Sequence, residues 1–330
     1  MRLNVENIKI ISTGSYLPKQ KINNEFLANK LGITEEFIVK RTGIQNRYYT
    51  DKETIIDLAV NAAQDAMQNL LQNTNQISKN ESKDILKDVT IDMIIVATTS
   101  SKELMPGISF RVKNKLKQYT NEKCICQDIL AGCSGYINAF DIARNTIITS
   151  KGKINTALII GVELLSKLLK KDDIGTSIIL ADGAGATIIT KTEEEKEYRS
   201  NFTVHSEECD ILTCKANSKI YMDGKAVYKY AVTKTVENVK ELVTNEQMQN
   251  INFFIPHQSN LKIIQSIASK LNLPKEKVFV NIETKGNTFC ASIPIALDDL
   301  LKNKQIHNND KIILLGYGGG MNTGSIYIEI

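Results

Sequence analysis

Two stretches of this chain repeat one order of signals, and few folds accommodate such a repeat. In the first stretch, a strand pattern ends at Ala97-Thr-Thr-Ser100. A turn and helix follow at Gly132-Cys133-Ser134-Gly135, then a strand ending at Gly161 and another at Ala186–Thr190. In the second, a strand pattern ends at Ile255-Pro-His257. A turn and helix follow at Gly286-Asn287-Thr288, then a strand ending at Gly316 and another at Ser325–Ile330. A duplicated strand–helix–strand plan predicts largely parallel sheets covered by helices. The length of 330 residues fits two ordinary domains or one large α/β unit.

The remaining signals agree with an α/β chain. Thr54 and Asp57 read as a capping box that opens a helix, whose apolar face carries Ile55, Ala59, Ala62, Ala66 and Leu70. Gln72–Asp88 is polar and reads as an exposed loop. Ile91–Ala97 and Ala157–Ile160 read as buried strands. The charge-dense Lys191–Arg199 reads as a link between halves, followed by a helix near Ala226–Val243 and another over Asn260–Leu271. The N-terminus lacks the apolar core of a signal peptide, and no stretch reaches the roughly 18 apolar residues of a membrane span. A cytoplasmic protein is expected, with its six cysteines reduced. A net charge of +4 excludes an extended nucleic-acid surface but leaves room for a local basic patch.

Only three histidines and six cysteines are available for chemistry. Cys124-Ile-Cys126 and His205-x3-Cys209-x4-Cys214 lack the paired spacings of a structural zinc site, so no metal is expected. Cys133 lies in a glycine-flanked turn between a β-like run and a helix. At a helix N-terminus, the dipole and unpaired N–H groups favour the thiolate that attacks carbonyls. A small buried hydrophobe is the plainer reading of such a cysteine. His257 follows a strand and precedes a helix, where parallel-sheet enzymes place ligands. A hydrogen-bonded structural histidine is the alternative there. Asn287 opens a helix and could simply be its cap. Cys290 is a second candidate nucleophile without flanking glycines, and His205 and His307 read as surface residues. Neither Gly316–Gly320 nor Asp182–Ala186 has the spacing of a dinucleotide or mononucleotide loop.

Taken in order, these pieces resemble the β-ketoacyl-acyl-carrier-protein synthase III family of thiolase-fold condensing enzymes. The resemblance runs nearly end to end through Arg41-Thr-Gly-Ile44, Ala97-Thr-Thr-Ser100, the Cys133 turn and Asp182-Gly-Ala-Gly-Ala186. It continues through Pro256-His-Gln-Ser-Asn260, Gly286-Asn-Thr288 and Gly318-Gly-Gly320. It implies an αβαβα layered fold of two similar halves: residues 1–190 with the nucleophile, and residues 191–330 with the histidine and asparagine. It implies Cys133, His257 and Asn287 as a catalytic triad, with an oxyanion hole from the backbone N–H groups of Cys133 and Gly319. It also implies coenzyme A contacts at Phe37, Arg41, Gly224 and Asn260, and carrier-protein docking at Lys262. A solvated helix face is the plainer reading of Lys262. Met105 would shape the acyl pocket across a homodimer interface. The implied substrates are acyl-coenzyme A or acyl carrier protein and malonyl carrier protein. No cofactor, nucleic acid or membrane is implied.

The chain departs from the family pattern in places. Phe37 replaces a Trp, Ile174 an Arg that faces coenzyme A phosphates, Tyr317 a Phe beside the glycine loop, and Met105 a Phe. Met is the more adaptable side chain at a pocket wall. The reaction expected is a decarboxylative Claisen condensation that starts a fatty-acid or polyketide-like chain. The rival on the same scaffold is an acyltransferase passing the acyl group to an alcohol or amine. A hydroxymethylglutaryl-type synthase would need a further catalytic Glu that has no evident place. A dinucleotide oxidoreductase fails on motif spacing. A non-enzymatic acyl-binding subunit would retain binding without turnover.

Overall fold

A computed structural model describes residues 7–76, 90–170 and 172–330, with the backbone alone for 73–76. Its larger sheet combines β1 (Asn7–Tyr16), β4 (Ile91–Ala97), β5 (Thr120–Ile129), β6 (Thr156–Glu163) and β7 (Gly183–Thr192) in the order β1-β7-β6-β4-β5. Between β1 and β4, β2 (Gln20–Asn23) and β3 (Asn46–Tyr49) form a separate antiparallel pair. The second sheet combines β8 (Tyr198–Val204), β11 (Phe253–Pro256), β12 (Lys311–Gly318) and β13 (Asn322–Glu329) in the order β8-β13-β12-β11. The short β9 (Leu212–Thr213) and β10 (Tyr221–Met222) pair beside it.

Strand directions match as well as strand order. β7 runs antiparallel to β1 and β6, and β13 runs antiparallel to β8 and β12. β4 is parallel to β6, as β11 is to β12. Where β5 flanks β4, a single parallel bridge from Val278 flanks Phe254. The repeated order of signals in the sequence is therefore a repeated topology.

Alternation along the strands sets five layers, since successive side chains face opposite sides of a sheet. Met93, Ile95 and Ala97 of β4 and Ile312 and Leu314 of β12 face the same central core. Two helices fill it: Gly135–Thr149 through Ile137, Phe140, Ala143 and Ile147, and Ser292–Lys302 through Ile293, Ala296, Leu297 and Leu300. Ile94 and Val96 face outward against helices Ile55–Gln76 and Ile108–Lys115. Ile313 and Leu315 face outward against helices Gly224–Leu242 and Leu261–Lys270. Each fully buried Ile, Leu or Phe in such a layer contributes about 1.5–3 kcal/mol.

Several boundaries differ from the expected ones. Helix Ile55–Gln76 runs through Gln72, where a loop was expected to begin; the rest of that stretch lies outside the described residues up to Asp88. The Thr54–Asp57 capping box is present, with Asp57 N–H donating to Thr54 Oγ1 and Thr54 N–H donating to Asp57 Oδ2. The charged link is shorter than expected, because β7 reaches Thr192 and β8 starts at Tyr198.

Candidate active site

Cys133 follows β5 in a single 3-10 turn, Gly132–Ser134, and precedes the central helix Gly135–Thr149. The closeness of the opposite strand end requires glycine at Gly318. A Cβ added there would lie 2.7 Å from Cys133 N and 2.9 Å from its Sγ. The end of β12 thus presses its backbone on Cys133. The thiol is buried, and the backbone N–H groups of Cys133 and Gly319 both favour negative charge on it. Burial and the nearby Glu163 carboxyl nonetheless push the thiol well above its ordinary value. The expectation that the helix N-terminus favours the thiolate is thus outweighed in the resting site by loss of water and a like charge.

His257 sits directly after β11 with its ring almost wholly buried. Its Nδ1 lies 2.7 Å from Ser292 Oγ, which in turn accepts the Gln258 N–H at 3.2 Å. With Ser292 assigned as the donor to Nδ1, the neutral ring carries its own proton on Nε2. Burial depresses the imidazole to about 3, which keeps it neutral near pH 7. Tyr317 packs edge-on against the same ring, with centroids 5.3 Å apart.

Asn287 is held from both sides. Its N–H donates to Ile179 O and its C=O accepts from Ala181 N–H, strapping it beside Leu180. Its side-chain Oδ1 accepts the Phe289 N–H at 2.9 Å, and Nδ2 donates to Ser259 O at 3.3 Å. That leaves one amide proton for the cavity. The preceding Gly286 has φ +73°, and a Cβ there would meet Ala181 and Arg47 below 3.0 Å. Asn287 is thus not a simple helix cap: the helix it was expected to open starts later, at Ser292.

The structure brings Cys133, His257 and Asn287 together at one cavity of about 720 Å³. Arg41, Gly224, Asn260 and Lys262 line it too. Arg41, Lys225 and Lys262 are exposed, so the mouth is basic, and the lone lining acid, Asp223, is engaged as the N-cap of helix Gly224–Leu242. Gly224 leaves open space where a side chain would project. Asn260 serves as N-cap to helix Leu261–Lys270 and donates to Arg41 O, joining the two sides of the mouth. Phe37 does not line the cavity; it lies under the Arg41 guanidinium, 5.8 Å from ring centroid to carbon. Met105 is 84% exposed and away from the cavity of its own chain. Ile174 packs beside the Leu27 and Ile38 cluster, while its neighbour Gly175 lines the cavity.

Cys290 is buried and donates to Glu163 Oε1 at 3.1 Å and to Ala97 O at 3.2 Å. Burial and Glu163 hold its thiol well above the ordinary value, as they do that of Cys133; the two differ in that Cys133 lines the cavity and Cys290 does not. His205 is paired with Glu207, and His307 is exposed. Among the described residues no cluster of three or more His, Cys, Asp or Glu side chains could hold a metal. Two residues at the site had no signal in the sequence. Ser292, hidden in an apolar helix start, orients His257. Glu163, at the end of β6, accepts from Ser100 and Thr99 and is pushed up to about 7 by burial.

Comparison with known proteins agrees with this fold. Residues 127–207 match the family described as 3-oxoacyl-[acyl-carrier-protein] synthase III, and residues 244–330 match its C-terminal part. The β-ketoacyl-[acyl-carrier-protein] synthase III of Clostridium acetobutylicum is 33% identical, covering 98% of this chain and 99% of its own. Its counterpart from Clostridium botulinum is 35% identical at the same coverage. The crystal structure of 3-oxoacyl-[acyl-carrier-protein] synthase III from Aquifex aeolicus superposes with a TM-score of 0.87 at 34% identity, covering 98% of this chain and all of that one. The Pseudomonas aeruginosa enzyme superposes at 0.86 with 27% identity, covering 98% of each chain. On motif order, five-layer topology and these full-length likenesses, the chain belongs to the β-ketoacyl-acyl-carrier-protein synthase III family of thiolase-fold condensing enzymes.

Proposed function

We propose that this chain joins an acyl group to a malonyl unit in two stages on Cys133. In the first, the Cys133 thiolate attacks the carbonyl carbon of an acyl thioester. The tetrahedral oxyanion is held by the backbone N–H groups of Cys133 and Gly319. It collapses to an acyl-cysteine, and the donor thiolate leaves and takes up the proton that Cys133 gave up on ionising. In the second, a malonyl carrier protein binds and its carboxylate leaves as CO₂. The electrons of the broken C–C bond form an enolate, whose oxygen accepts hydrogen bonds from His257 Nε2 and Asn287 Nδ2. The enolate carbon attacks the acyl-cysteine carbonyl, and collapse releases Cys133 and a β-ketoacyl carrier protein.

One observation carries this reading: a cysteine, a neutral histidine and an anchored asparagine amide meet in one cavity. A neutral Nε2–H and an amide N–H are donors suited to an oxyanion. Removing one such donor typically reduces rate about 10²–10³-fold. The exposed Arg41, Lys225 and Lys262 suit an acidic carrier protein or coenzyme A phosphates at the mouth. We take the working form to be a homodimer of two-halved subunits, residues 1–190 and 191–330, with Met105 serving the partner's acyl pocket. Intact-mass spectrometry after incubation with a panel of acyl thioesters tests the first stage. Addition of one acyl mass to the native chain and none to Cys133→Ala is the expected result. No acylation with any donor would remove the reading.

A further inference from the structure

We propose that the hydroxyls of Tyr317 and Ser259 form a pair that binds the carboxylate of the malonyl thioester before it leaves. The inference rests on the condensation proposed above. Tyr317 directly precedes Gly318, the last residue of β12 and the one pressed on Cys133. Its ring is 2% exposed and stands edge-on to His257. Its hydroxyl lies 2.5 Å from Ser259 Oγ, and both residues line the cavity that holds Cys133, His257 and Asn287.

Counting protons shows what the pair offers. Two hydroxyls bring two O–H groups, and the contact between them uses one. Neither oxygen has another side-chain or backbone partner among the described residues. One O–H is left to donate into the cavity. The phenol is the stronger acid, so it donates to Ser259 and polarises the serine O–H as the outward donor.

The substrate supplies an acceptor at that depth. With its thioester oxygen between His257 and Asn287, the malonyl carboxylate is two bonds from the thioester carbon, beside the imidazole on which Tyr317 packs. The cations that line the cavity, Arg41, Lys225 and Lys262, are exposed at the mouth. A neutral hydroxyl therefore meets the anion. It orients the carboxylate without an ion pair that would hold it back. When CO₂ departs, the C–C electrons go to the enolate, and the hydroxyl keeps its proton.

The test measures steady-state condensation and, separately, Cys133 acylation in native chain, Tyr317→Phe, Ser259→Ala and the double variant. Tyr317→Phe keeps the ring and removes only the hydroxyl. Ser259→Ala removes the outward donor and is expected to raise KM for malonyl carrier protein about tenfold, with kcat within about twofold, as for a hydrogen bond to a charged group. Tyr317→Phe removes only its polarisation and should raise KM by a smaller factor, about threefold. Cys133 acylation by the acyl donor should not change. The double variant should lose little beyond Ser259→Ala, because the pair presents one donor. An unchanged KM in Tyr317→Phe, a fall in kcat at constant KM, or slowed acylation would each overturn the proposal. A native chain that acylates but yields no β-ketoacyl product would instead overturn the condensation on which it rests.

Discussion

At the residue scale, the site is governed by three buried groups whose ionisation is set by loss of water. His257 is depressed to about 3, below its ordinary 6.5, so folding favours the neutral ring. Its contribution to stability is present above about pH 6.5 and is lost as pH falls toward 3, with a slope of up to about 1.4 kcal/mol per pH unit. Denaturant titrations from pH 7 to 4 on the native chain and His257→Gln should show this slope in the difference between the two, from which contributions common to both drop out. Glu163 has the opposite sign. Raised to about 7, it stabilises fully below its ordinary 4.5, and the effect is lost as pH rises through 7. The same carboxyl raises the Cys133 thiol. Glu163→Gln should therefore move the pH midpoint of iodoacetamide alkylation at Cys133 downward; an unchanged midpoint would show that the carboxyl does not reach the sulfur. Cys133, His257 and Asn287 were legible in the sequence because each sits beside a glycine turn or strand end. Glu163 and Ser292 were not, because a polar residue at a strand end or helix start looks the same whether it orients a catalytic group or only satisfies backbone.

At the scale of elements, the central helices were readable from periodicity, and so were the strands buried on both faces, which lack polar interruptions. β1 and β5 were harder. Only Cys124 of β5 is buried, and the strand mixes charged with apolar residues, so neither period stands out in Thr120–Ile129. Gly316–Gly320 was readable as a glycine-rich turn, but its contact with Cys133 joins distant stretches of chain and has no local signal. That contact is also the element on which geometry depends most. Gly318→Ala should force the turn off Cys133, since its Cβ would overlap both backbone nitrogen and sulfur. Acylation should fall about 100-fold or more, the usual effect of a misplacement near 1 Å. Near-native acylation rates in that variant would contradict the close packing of the two strand ends.

At the scale of the molecule, duplication explains why one cavity draws residues from both sheets. The Cys133 turn leads into one central helix and the Asn287 turn into the other, and both helices lie in the shared core. What the repeat pattern could not supply is the surface each half leaves uncovered. β5 is the outer strand of its sheet, with Ile125 38% and Leu130 80% exposed, and Leu104, Met105 and Phe110 exposed nearby in sequence. An unpaired, partly apolar edge of ten residues calls for a partner. Light scattering of the native chain should give a dimer, and Ile125→Asp should shift it toward monomer; a monomeric native chain would contradict the placement of Met105 at a partner's pocket. The central claim is that Cys133, His257 and Asn287 act together on an enolate. It is tested most directly by adding malonyl carrier protein, labelled with ¹³C at the free carboxyl, to isolated acyl-Cys133 enzyme. The account predicts one labelled CO₂ released for each β-ketoacyl carrier protein formed, with loss of the acyl mass from Cys133. Transfer or hydrolysis of the acyl group without CO₂ release would contradict it.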